Sequence, residues 1–121
     1  MKKSALLLMM SVVLILALAA CGKTEEKAGE TTVTPTQEIS VEASNWKFDK
    51  DVYTVKKGEP LKISLNNKEG MHALQIPDLK VSVDGGKSKV ITPDKAGTYN
   101  IQCSIPCGSG HSTMTAKLVV E

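Results

Sequence analysis

The sequence predicts an all-β fold, a sandwich built from residues 37–121, and three observations predict it. Short segments alternate apolar and polar residues. Leu61, Ile63 and Leu65 take one face while Lys62, Ser64 and Asn66 take the other; Tyr99, Ile101 and Cys103 alternate likewise with Asn100 and Gln102. That period of two is the signature of a strand with one face buried. Turn-forming residues punctuate the segments, as in Lys57-Gly58-Glu59-Pro60, Asp84-Gly85-Gly86 and Pro93-Asp94-Lys95-Ala96-Gly97. After Cys21, no stretch keeps a helical period beyond about two turns. The strand segments are EISVEA, VYTVKK, LKISLNN, HALQIP, SKVIT, TYNIQC and AKLVVE. Six or more short strands at this spacing argue for two packed sheets. With 121 residues in all, the chain holds one domain with a core of modest size.

The N-terminus predicts where that domain resides. Lys2 and Lys3 precede an apolar run from Ala5 to Ala20 that is broken by Ser11. A basic start followed by an apolar stretch is the layout of a secretory signal segment. The run falls at or just short of the roughly 17–25 residues that cross a bilayer. Leu18-Ala19-Ala20-Cys21-Gly22 resembles a bacterial lipobox, in which the cysteine is lipidated and becomes the first residue of the mature chain. Residues 1–20 are therefore expected to be a lipoprotein signal peptide, with Cys21 the lipidation site. Acyl chains there would hold the domain at the extracytoplasmic face of a bacterial membrane, each buried CH₂ contributing about 0.8 kcal/mol. An uncleaved anchor and a plain secreted chain are the competing readings.

Residues 21–36 continue as the lipidated cysteine and a flexible tether. GKTEEKAGETTVTPT holds one valine, one proline and no aromatic residue, too little apolar surface to offset the entropy of ordering it. Charge takes a different meaning without the signal. The 15 basic residues are all lysine; once Lys2 and Lys3 depart, the remaining 13 equal the 13 acidic ones. A neutral mature domain gives no reason to expect nucleic acid as a partner, and only weak electrostatic steering.

The chemistry concentrates in CSIPCGSGHSTM, residues 103–114, between the strands TYNIQC and AKLVVE. It is expected to be a loop at one end of the sandwich, where the side chains of Cys103, Cys107, His111 and Met114 can converge. Gly108 and Gly110 permit a tight turn between Cys107 and His111. Pro106 biases Ile105 toward extended backbone. A Cys103–Cys107 disulfide is the plain reading for a domain outside the reducing cytoplasm, but leaves His111 and Met114 unexplained. Structural zinc could use Cys103, Cys107, His111 and one further histidine, and has no use for a thioether. Copper accounts for the whole set: thiolates and thioethers favour its reduced state, and imidazole serves both states. The chain's only other histidine is His72, at the start of HALQIP, which supplies the missing imidazole. Met71 beside it is expected to pack, as is Trp46, the chain's single tryptophan.

An upstream histidine followed by Cys-x-x-x-Cys-x-x-x-His-x-x-Met resembles the CuA domain of cytochrome c oxidase subunit II, shared with nitrous oxide reductase. VYTVKKGEP, LKISLNN, HALQIPDLKVSVDGGK and KAGTYNIQCSIPCGSGHSTM follow that domain in order and spacing, from Trp46 to Glu121. The resemblance implies a Greek-key, cupredoxin-like β-sandwich over residues 37–121. It implies a centre of two copper ions bridged by the thiolates of Cys103 and Cys107. His72 would serve one ion and His111 the other, with Met114 a weak ligand and the Ile105 carbonyl the sixth contact. A mononuclear blue-copper site with Cys103 idle is the nearest variant. Ile105 stands where oxidase members usually carry Glu, and no aromatic cluster accompanies the loop; these departures bear on assembly into a standard oxidase more than on copper. No Ser-His-Asp set, paired carboxylates or phosphate loop is present, so no organic substrate and no enzyme activity are expected. The expected role is electron transfer with a redox partner such as cytochrome c or a terminal oxidase. The alternative is a copper-handling lipoprotein that delivers copper to an apo-oxidase. An electron partner is expected over the apolar loop surface near Ile105 and Pro106.

Overall fold

Leu61, Ile63 and Leu65 are fully buried, and the residues between them stay partly or wholly in solvent. The alternation that marks this segment as a strand is thus the alternation of its environment. The computed structural model describes residues 33–121, the span Val33–Glu121 forming one unit. The predicted signal peptide, Cys21 and the tether up to residue 32 lie outside the described residues. Among the described residues, no helix is long and apolar enough to cross a membrane.

Nine strands are described: β1 (Gln37–Ser44), β2 (Lys47–Phe48), β3 (Val52–Val55), β4 (Leu61–Asn67), β5 (Ala73–Ile76), β6 (Val81–Asp84), β7 (Ser88–Ile91), β8 (Gly97–Cys103) and β9 (Thr115–Val120). One sheet has the order β2-β1-β4-β7 and the other β3-β9-β8-β5-β6. The chain crosses between them repeatedly, giving the all-β cupredoxin-like sandwich expected. Each segment singled out above is a strand. Two strands went unforeseen. β2 is only two residues long, too short for any period to show. β6 alternates cleanly, with Val81 and Val83 buried, but is enclosed by turns on both sides.

The inner faces of the two sheets meet in one core. Val41, Ile63 and Leu65 from the first sheet belong to the same buried cluster as Leu74, Ile101 and Leu118 from the second. Leu118 is fully buried on β9, between β3 and β8. Leu118→Ala is expected to cost about 2–5 kcal/mol through lost transfer energy and the cavity left behind. A thermal melt should fall by about 10 °C or more in a domain of this size; a shift under about 3 °C would show that the core closes over the gap.

Two pairings bring the upstream histidine to the loop. β5 lies antiparallel to β8, with Leu74 opposite Cys103. The Ser104 amide extends this pairing by donating to the Ala73 carbonyl at 2.9 Å. β8 in turn pairs with β9, and the Cys103 amide donates to the Met114 carbonyl at 3.2 Å, closing the loop at its base.

Candidate metal centre

The loop leaves β8 at Cys103 and returns to β9 at Thr115. Its second half is wound tightly: a single 3₁₀ turn covers His111–Thr113, with the His111 amide donating to the Gly108 carbonyl at 3.2 Å and Met114 to His111 at 3.3 Å. This winding directs His111 and Met114 back toward Cys107.

The resulting contacts centre on one sulfur. Cys107 Sγ lies 3.4 Å from Cys103 Sγ, 3.5 Å from His111 Nδ1 and 4.0 Å from Met114 Sδ. Cys103 Sγ also lies 3.3 Å from the Ile105 carbonyl oxygen. Both cysteines are free thiols. Cys103 and Met114 are buried, while Ile105, Cys107 and His111 are half-buried. The Cys107 thiol is pushed up, first by desolvation and then by its hydrogen bond with Cys103. A metal binding these sulfurs has to displace their protons.

His72 stands immediately before β5. A ligand nitrogen of its ring and the two sulfurs all lie within 4.8 Å of one another. His72 is 1% exposed, and its Nε2 is 2.9 Å from the Glu69 carbonyl. A carbonyl only accepts, so Nε2 carries the proton and Nδ1 is the bare nitrogen. Nδ1 is buried and has no hydrogen-bond partner. An unsatisfied buried acceptor costs about 1–3 kcal/mol, and binding a metal through Nδ1 removes that cost. The backbone carbonyl at Nε2 is the usual outer support that fixes the tautomer of a metal-ligating histidine. The six residues predicted as metal ligands lie in one cluster, linked through the two sulfurs, and the donor set fits a soft or borderline transition metal: two thiols, two imidazoles, a thioether and a carbonyl.

Two expectations about neighbouring residues are corrected. Met71 does not pack: it is 75% exposed, and lines a cleft of about 370 Å³ together with His72 and Ile105. Trp46 does not enter the core either. It is 39% exposed, and its Nε1 donates to the carbonyl of Cys107 at 2.9 Å. Its indole occupies the space that a side chain on Gly108 or Gly110 would need. Asn67 was missed altogether; its Nδ2 donates to the His72 carbonyl at 3.2 Å. A lone tryptophan two residues before a phenylalanine gave no sign of a partner 61 residues away.

Over residues 8–120 the sequence matches the family model described as the cupredoxin-like domain. The chain belongs to the cupredoxin-like family. This cupredoxin is 31% identical over 68 residues to the alternative cytochrome c oxidase subunit 2 of Bradyrhizobium diazoefficiens. That alignment covers 53% of this chain and 24% of the relative, so the chain spans about a quarter of the relative's length. Its fold is similar to the periplasmic domain of cytochrome oxidase subunit II from Bradyrhizobium japonicum, with a TM-score of 0.67 at 17% identity over 73% of this cupredoxin and 86% of that chain. It is also similar to auracyanin A, a blue copper protein of Chloroflexus aurantiacus, with a TM-score of 0.55 at 18% identity over 69% and 98% of the two chains. At these identities the structural likeness is one of fold.

Proposed function

We propose that this cupredoxin is a copper protein with a binuclear CuA-type centre that passes single electrons, held at the extracytoplasmic face of a bacterial membrane by lipid on Cys21. It is not itself an enzyme; its redox partner is a cytochrome c or a terminal oxidase, in keeping with the relative that is an oxidase subunit. The observation that carries the reading is the double role of Cys107. Its sulfur is near the Cys103 thiol and also near the His111 and Met114 donors. Cys103 and Cys107 would hold the two ions, with His72 serving one and His111 the other. Met114 and the Ile105 carbonyl complete the set as weaker donors. Copper held by Cys103 and Cys107 would supply a one-electron couple. The chain's own contribution is a rigid, largely buried cage. Cys103, His72 and Met114 are closed to solvent, and the β5–β8–β9 pairings fix the strands that carry or adjoin them. Such a cage limits rearrangement when an electron moves.

A second reading, delivery of copper to an apo-oxidase, is favoured by one observation. Met71 is 75% exposed and lines the same cleft as His72, and thioethers suit cuprous copper. The full chain, purified in mild detergent, reduced and loaded, separates the two. Two coppers per chain sharing one delocalised unpaired electron, seen by elemental analysis and electron paramagnetic resonance, are expected. One cuprous ion given up readily to a chelator would favour delivery. No retained copper would overturn both.

A further inference from the structure

The turn between β1 and β2 touches both halves of the candidate centre. On one side, the Ala43 carbonyl at the end of β1 accepts from the amides of Lys68 at 2.8 Å and Glu69 at 3.4 Å. The Asn45 side chain fills the space beside Gly70, so a methyl group there would strike Asn45 Oδ1 and, at 2.9 Å, His72 Nε2. This holds the segment whose Glu69 carbonyl supports the His72 ring. On the other side, Trp46 Nε1 donates to the Cys107 carbonyl, and the indole lies against the Gly108 and Gly110 backbone. A Cβ on Gly108 would stand 2.7 Å from Trp46 Nε1, and one on Gly110 would meet Trp46 Cβ and the indole Cγ. The glycines of the ligand loop therefore do more than allow a turn. They make a seat for the ring.

We propose that Asn45 and Trp46 clamp the two ligand-bearing segments together, with Trp46 a positioning residue that acts through the Cys107 carbonyl and governs how fast metal leaves. The inference rests on the copper reading above and deepens it. A carbonyl pinned by an indole N–H cannot rotate freely, so the Cys107 sulfur keeps its direction toward His111 and Met114. Outer partners of this kind typically contribute 10–100-fold in metal affinity, and one hydrogen bond on a partly exposed ring belongs at the lower end.

The test uses the loaded full chain and three variants. Trp46→Phe keeps a ring over the glycines and removes the donor. Trp46→Ala removes both. Gly110→Ala displaces the indole without altering Trp46, at a backbone φ of −95° that alanine adopts without strain. Transfer of copper to a chelator is expected to run about tenfold faster in Trp46→Phe, with the melting temperature of the copper-free chain unmoved. Gly110→Ala should accelerate it as well, and should add nothing in a Trp46→Ala background. Unchanged transfer in all three variants overturns the clamp. So does acceleration that merely tracks a fall in the copper-free melting temperature. If the parent chain retains no copper, the copper reading fails, and alkylation of the copper-free thiols decides the clamp alone. Faster labelling of Cys107 relative to Cys103 in Trp46→Phe supports it, and an unchanged ratio overturns it.

Discussion

Cys107→Ser is expected to abolish the proposed binuclear centre, leaving at most one copper per chain and cutting cuprous affinity by at least about 100-fold, more than loss of an outer partner costs. Cys107 is the shared neighbour of Cys103, His111 and Met114. Serine is nearly isosteric, but its hydroxyl is a hard donor that stays protonated where a thiol ionises. The half-buried position makes a large folding penalty unexpected, so the loss is one of chemistry. Cys103→Ser should behave differently. It leaves His72, Cys107, His111 and Met114, one thiolate with two imidazoles and a thioether, which is the set of a mononuclear blue-copper site. That variant should hold one copper and show the strong visible absorption of a single copper–thiolate unit. Metal analysis and visible spectra of the two variants check the asymmetry. Equal behaviour, or two coppers retained without Cys107, would sink the assignment of Cys107 as the shared ligand.

The parts of this molecule that were legible in the sequence are those whose physics is local. β4 and β8 could be found because one face of each is buried, which enforces a period of two. The convergence of Cys103, Cys107, His111 and Met114 could be anticipated because twelve residues joining two adjacent strands have few places to go. His72 was found by scarcity, as one of two histidines. What brings it to Cys103 is the pairing of β5 with β8, a register no local pattern displays. The parallel pairs β1–β4 and β3–β9 are hidden for the same reason. Trp46 shows the limit most clearly. Its residue type favours burial, but its neighbours are loop glycines, and a glycine that accommodates a turn reads the same as one that seats an indole. Met71 errs in the same direction, an apolar side chain that the fold leaves in solvent.

His72→Leu is expected to separate stability from function. In the metal-free chain, the buried Nδ1 of His72 lacks a partner, which costs about 1–3 kcal/mol. Leucine removes that atom and fills a similar volume, at the loss of the hydrogen bond from Nε2 to the Glu69 carbonyl, worth about 0.5–1.5 kcal/mol. The two terms nearly cancel, so metal-free stability should stay within about 1 kcal/mol of the parent, or rise. Copper binding should fall by at least about 100-fold, because this imidazole is the donor that reaches the sulfurs from the segment before β5. The contrast matters because an ordinary core residue behaves in the opposite way. Leu118→Ala lowers stability through its cavity, with no donor lost from the centre. A denaturant titration of the metal-free variant beside a copper competition assay checks both halves. If His72→Leu destabilised the metal-free fold by about 3 kcal/mol or more, the histidine would be part of the packing, and its bare nitrogen would carry no information about a metal. If stability held and copper affinity fell, the unsatisfied nitrogen would be a cost the fold carries in the empty protein for the sake of the filled one.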